Sequence, residues 1–434
     1  MSNLPTPHWI DVAIGIVSSD DDFEDDFTKS NLRTNQNQNQ QKNSPYQIEL
    51  TQTTEKKASY DRYGFEITKN TDEKIFLHLL SRVGDEGNKQ FSNESETSKA
   101  ITNLLDPEEW NPKKRKYTPS KYTPSKNFRK PTKKEIKKEL SRADKWIHMF
   151  ANWEVYTTKK IKILDRRILK GIPDRVRGEA WKKIVGSDQL QKSKPNLYEQ
   201  NITARNLTSE KIILKDLDRT FPEHQLFVQR QIQQKLYNVL RALANYSPET
   251  GYCQGMSFIG GLLLLYMEEK EAFYFFVKLL DDYHMKGIFQ AGFPLLQYQF
   301  EEWKKMLRSH CPKIDAKLEE NNVEPSFYAM KWFMTIYSNI RDFSGMAQVW
   351  ENYLFRKNEF LFGFTLSLMK LSEKKILKMD PSYLLQQLQD IPNDFPISKV
   401  LEVYKKIKLS KDEKNRIQNL ANNWLTQNGN SQKK

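Results

Sequence analysis

Residues 227–246 read "FVQRQIQQKLYNVLRALANY", and the spacing of their apolar members decides the fold. Ile232, Leu236, Val239, Leu240 and Leu243 recur at intervals of three and four, the period of one face of an α-helix rather than the alternation of a strand. "SPETG" (residues 247–251) breaks that helix, and the run inside "GYCQGMSFIGGLLLLYM" (residues 251–267) opens the next. The same texture continues in "KEAFYFFVKLLDDY" from residue 270, "FPLLQYQFEEWKKML" from 293, "FYAMKWFMTIYSNI" from 327, "GMAQVWENYLF" from 345 and "FLFGFTLSLMKLSEKKILK" from 360. Proline and glycine breaks separate these segments. Coiled-coil heptads are absent, so the spacing predicts an all-α, multi-helix globular domain over residues 136–430 with a short tail at 431–434.

The sequence N-terminal to that domain is of a different kind. Residues 1–57 hold "SSDDDFEDDF" and then "NQNQNQQKN", acidic and amide-rich stretches with too little apolar surface to offset chain entropy, and they are predicted to be disordered. Residues 58–109 contain a small ordered island, "ASYDRYGFEI" as an extended piece and "DEKIFLHLLSRV" as a helix. Residues 110–135 form a proline-containing basic linker with a tandem Tyr-Thr-Pro-Ser-Lys repeat. Of the chain's net charge of +14, residues 111–142 carry +11, from 13 basic and 2 acidic side chains. The domain itself is therefore near neutrality, which argues against a nucleic-acid-binding fold with its own positive stripe, and no specific nucleic acid is expected.

Cys253 and Cys311 cannot make a disulfide framework, and the six histidines show no metal-ligand spacing, so no metal site is expected. "WIDVAIGIV" near the N-terminus is too short and interrupted for a signal peptide, and the run Phe258–Met267 is about half a membrane span. These features point to a soluble protein of a reducing compartment.

Three local signals carry chemistry. In "KGIPDRVRGEAWKKIVG" (residues 170–186), Gly171 and Pro173 mark a turn, and Arg177 and Trp181 lie one helical turn apart; this reads as architecture. In "SEKIILKDLDRTFPEH" (residues 209–224), Ile213 and Leu217 face one way and Asp216 and Arg219 another, and Pro222 places Arg219 at the helix end. Two readings of Arg219 stand: a solvated surface pair, or a guanidinium held in one pose by Asp216 and projected from a rigid edge. In "TGYCQGM" (residues 250–256), Gly251 and Gly255 allow a tight turn and put Gln254 at or just before a helix N-terminus, either as a capping amide or as a group offered outward.

Taken in order, these motifs resemble the TBC-domain family of GTPase-activating proteins for Rab-type small GTPases. Ile213, Asp216 and Arg219 fill its Ile-x-x-Asp-x-x-Arg motif, and Tyr252, Gln254 and Gly255 fill its Tyr-x-Gln-Gly motif. "KGIPDRVRGEAW" is similar to the family's opening helix, and the similarity runs through "GFPLLQ", "EPSFYAMKWFMTIYSN" and "VWENYLF", over roughly residues 144–425. Ser257 stands where the family usually has Asn, and Glu351 follows Trp350 where the family has Asp.

The resemblance implies an all-α TBC-type domain of two helical subdomains. It implies that Arg219 and Gln254 act in trans on a Rab's GTP, with Asp216 steering the arginine and Tyr252 bracing the glutamine loop. The partner is then a Rab-family GTPase in its GTP-bound form. GTP and Mg²⁺ come with that partner, and the chain needs no cofactor of its own. A non-catalytic scaffold that binds a small GTPase is the alternative. A cytoplasmic protein acting in vesicle trafficking is expected, with residues 111–142 either touching anionic membrane, serving as a nuclear-import signal, or acting as a spacer.

Overall fold

The structure is a computed structural model and describes residues 59–60, 66–67, 132–222, 224, 227 and 229–431. The expectations for the acidic and amide-rich stretches, the helix at 72–83 and the linker up to residue 131 lie outside the described residues. Within the 58–67 island, Ser59–Tyr60 pairs antiparallel with Glu66–Ile67. From residue 132 onward helices dominate. Those of eight residues or more are α1 (Lys133–Ala151), α2 (Ile161–Leu169), α3 (Arg177–Val185), α4 (Leu207–Leu217), α5 (Arg230–Tyr246) and α6 (Met256–Leu264), followed by α7 (Glu269–Asp282), α8 (Pro294–His310), α9 (Pro312–Glu320), α10 (Phe343–Ile376), α11 (Ile397–Tyr404) and α12 (Lys411–Ser431).

α1 begins three residues before Ile136, inside the segment read as linker. Thr132 caps it: its hydroxyl accepts the Glu135 amide at 3.3 Å, and the Glu135 carboxylate accepts the Thr132 amide at 2.8 Å. This reciprocal cap satisfies two free donors, so a lysine-rich first turn can still be helical. The first two turns are solvent-exposed, and burial starts only at Ala143, Trp146 and Met149. That is why the apolar pattern alone did not find the true start.

The helices pack as two groups. α5 lies against α4, α6 and α7, and its inward face is the stripe that defined it, with Leu236, Val239, Leu240 and Leu243 all fully buried. In the second group α8 packs on α9 and α12, while α10 packs on α11. Trp303, Phe333 and Phe362 interlock there, with ring centroids 5.4–6.5 Å apart. Each such side chain contributes about 1.5–3 kcal/mol by leaving water. α10 also contacts α2 and α3, which ties the groups together. It is two helices joined at Lys357, whose φ of 52° and ψ of −137° break the helix. The flanking Arg356 is held by Asn352 and Asp165, and the Lys357 ammonium donates to the Asp282 carbonyl at the end of α7. Among the described residues no helix is long and apolar enough to cross a membrane.

The tie between α3 and α10 is ionic. Glu351 on α10 is fully buried and accepts the Ile172 amide at 2.8 Å and Arg177 Nε at 2.7 Å. Arg177 Nη2 donates to the Ile172 carbonyl at 2.7 Å, Nη1 pairs with Asp174, and the guanidinium lies 5.2 Å from the Tyr266 ring centroid. Trp181 packs on the same ring at 4.9 Å. Burial pushes the Glu351 carboxyl above its ordinary range, against the opposing pull of Arg177 and the Ile172 amide. Gly178 is required where α3 passes the Tyr266 carbonyl, because a Cβ there would overlap that oxygen. Removing one partner of a buried pair strands the other charge, which costs about 3–5 kcal/mol. Arg177→Met is therefore expected to lower unfolding free energy by that amount in denaturant titration, and adding Glu351→Leu should restore part of the loss.

Candidate functional site

α4 carries the first half of the site. Asn206 caps it by accepting the Ser209 amide at 3.1 Å, and Ile213 and Leu217, four apart, face the core. The helix ends at Leu217, and Arg219 sits in the turn beyond, as Pro222 requires. Both sides of that turn are fixed. The Thr220 hydroxyl donates back to the Asp216 carbonyl at 2.7 Å. Phe221, at φ 46°, packs its ring on Gly261 and edge-on against Phe258 and Phe343.

Asp216 is the centre of the arrangement. Its side chain is 1% exposed, whereas that of Arg219 is 39% exposed. Oδ1 accepts Arg219 Nε at 2.7 Å and is also paired with Nη2. Oδ2 accepts the Tyr252 hydroxyl at 2.5 Å. One buried carboxylate thus holds a guanidinium from the turn that follows its own helix and a phenol 36 positions away. A second bond repeats the connection, from the Tyr252 amide to Ser209 Oγ at 3.3 Å. Burial first, then the Asp216 charge and hydrogen bond, hold the Tyr252 phenol well above its usual range; a hydrogen bond with the Ser257 hydroxyl opposes them. Tyr252 therefore stays a neutral donor. Burial, with Asp216, also pushes the Cys253 thiol up to about 12, so it remains protonated near neutrality and is no nucleophile.

The glutamine loop takes its shape from its glycines. Gly251 and Gly255 have φ of 61° and 102°, conformations that side chains other than glycine rarely adopt. A Cβ on Gly255 would also stand 3.3 Å from Met334 Sδ, so the loop lies directly on the short helix Met330–Met334. Gln254 sits one residue before Gly255, the N-cap of α6, and is partly exposed. Among the described residues no hydrogen bond holds its side-chain amide. Among the described residues, guanidinium donors and an amide without partners are therefore presented by two loops that share one brace.

Of the residues expected to act, Ile213, Asp216, Arg219, Tyr252, Gln254 and Gly255 form this network or its immediate support. Gly171, Pro173, Arg177 and Trp181 belong to the Glu351 clamp instead. Sequence reasoning missed Ser209, whose hydroxyl receives the loop amide, and it left Ser257 open. Ser257 is buried, and its hydroxyl acts to lower the Tyr252 pKa against the larger effects of burial and Asp216. No local pattern marks Ser209, because its partner lies 43 residues away.

The model of the Rab-GTPase-TBC domain family matches residues 174–377. The TBC1 domain family member whacked of Drosophila melanogaster is 32% identical over 244 residues, covering 55% of this chain and 67% of that protein. The human ecotropic viral integration site 5 protein homolog is 31% identical over 258 residues, 58% of this chain and 31% of that protein. The crystal structure of the Chlamydomonas flagellar RabGAP TBC domain superposes with a TM-score of 0.52 at 20% identity, over 62% of this chain and 94% of that one. The helical architecture is thus that of TBC domains. The chain belongs to the TBC-domain family, and it spans about two thirds of the fly relative and under a third of the human one.

Replacing Tyr252 by Phe leaves a buried carboxylate short of one donor, which costs about 1–3 kcal/mol. Tyr252→Phe should remain folded by circular dichroism but unfold at correspondingly lower denaturant.

Proposed function

We propose that the chain is a GTPase-activating protein for a Rab-family small GTPase in its GTP-bound form. The observation that carries this reading is the buried Asp216 carboxylate, which binds Arg219 and the phenol of the Gln254 loop together. Phosphoryl transfer requires little covalent help; charge gathers on the leaving and terminal oxygens, and catalysis is positioning and electrostatics. A planar, always-charged guanidinium with donors left free suits those oxygens, and Asp216 fixes its direction in advance. The Gln254 amide can accept from and donate to an attacking water, and Gly255 seats the loop that carries it on Met334 and Thr335. GTP and Mg²⁺ belong to the partner in this scheme. Such activity fits the control of vesicle trafficking, and the basic stretch 111–142 would draw the protein to anionic membrane.

Names of relatives support this direction: one match is called Rab GTPase-activating protein tbc-11, from Caenorhabditis elegans, at 30% identity over 54% of this chain. A trans arginine is worth about 10³–10⁵ in rate. Purified full-length chain should accelerate single-turnover GTP hydrolysis by at least one member of a Rab panel. Arg219→Lys should lose most of that acceleration, since an ammonium cannot make the forked contact, and Gln254→Ala should lose much of it with an unchanged unfolding midpoint. Full activity in both variants overturns the reading, and binding without acceleration by the parent assigns a scaffold instead.

A further inference from the structure

A second cation, Lys331, stands beside the glutamine loop. Lys331 lies on the short helix Met330–Met334, three and four positions before Met334 and Thr335, the two residues that touch Gly255. Those spacings put Lys331 on the helix face that carries the glutamine loop. Its neighbours hold the helix rigidly: Trp332 stacks on Tyr337 with centroids 6.0 Å apart, and Phe333 packs between Phe300, Trp303 and Phe362. Just beyond, Ile336 and Tyr337 both take positive φ, 51° and 58°, and are fully buried. Conformations of that kind cost energy and persist where packing dictates them.

Lys331 is half-buried, yet among the described residues its ammonium has neither a hydrogen bond nor an ion pair. Other partly buried lysines of this chain are partnered: Lys182 pairs with Glu179 and Glu271, and Lys317 donates to the Leu377 and Met379 carbonyls. Burial lowers the Lys331 pKa from the usual lysine range; the exposed Asp390 raises it, and Arg219 lowers it further. The ammonium therefore feels both the Asp390 carboxylate and, more weakly, the Arg219 guanidinium, while no direct partner holds it among the described residues.

We infer that Lys331 is an anion-binding group of the same site, placed to take a terminal phosphate oxygen of the docked partner's nucleotide alongside Arg219. This deepens the GTPase-activating reading and rests on it. Like charges held on neighbouring elements are costly in the free protein, and an incoming polyphosphate relieves that cost. The planar guanidinium supplies direction, while the ammonium supplies a compact charge.

The test compares Lys331→Met and Lys331→Arg with the full-length parent and Arg219→Ala on the most responsive Rab of a panel. Lys331→Met should lower kcat about tenfold or more with KM little changed, the loss expected of a charge-assisted hydrogen bond made in the transition state. It should weaken capture of the GDP- and aluminium-fluoride-loaded GTPase, and Lys331→Arg should restore most of both. Thermal unfolding of each variant separates this from a packing role. Unchanged kcat, or a rise in KM alone, overturns the assignment and puts Lys331 at the rim. A loss of kcat that follows a loss of folded protein, with Lys331→Arg equally impaired, overturns it as well. If the parent accelerates no Rab, the activity itself is refuted, a result distinct from an active parent that ignores Lys331.

Discussion

The site depends on one buried carboxylate. Asp216 has two oxygens and serves two chain segments, the guanidinium of Arg219 on one and the phenol of Tyr252 on the other. A charge that deep is costly unless its lone pairs are filled, so the pairing is mutual: the arginine and tyrosine satisfy the aspartate, and the aspartate fixes them. Entropy that a free arginine side chain would lose on docking is already lost in the folded protein, the general advantage of a preorganised contact. The fold exists, in this sense, to bring the end of α4 and the mouth of α6 to a common brace.

Packing around that brace is rigid for reasons that are local and nameable. Thr220 closes the turn behind Arg219, Phe221 anchors its far end against Gly261, and Gly255 lets the loop settle on Met334 and Thr335. The Arg177–Glu351 clamp performs a similar service elsewhere, locking the turn before α3 onto α10. In both places a buried carboxylate receives an arginine and a second donor from a distant segment. Hydrophobic burial supplies the bulk of the stabilisation, and these polar ties select which arrangement it stabilises.

Much of this was legible in the sequence, and what was not has physical causes. Period-3.6 spacing in residues 227–246 announced the helix that centres the first group. Pro222 set the end of α4, and the two glycines around Gln254 marked a turn that only positive φ could make. By contrast, nothing near Ser209 indicates that its hydroxyl joins the Tyr252 support, because the partner is set by tertiary approach. Glu351 read as a charge-preserving change beside Trp350, and only the packing of α3 on α10 shows it buried against Arg177. The start of α1 was hidden by lysines that a capping box, not an apolar face, makes helical.

The central claim is that the two loops act as one unit through Asp216, and a crystal structure of this chain with a responsive Rab bound to GDP and aluminium fluoride tests it most directly. Arg219 and Gln254 should both lie within about 3 Å of the fluoride or the attacking water, with Asp216 still bound to Arg219 and to the Tyr252 hydroxyl. A complex in which either side chain faces away from the nucleotide, or in which Arg219 has to leave Asp216 to reach it, would contradict the account.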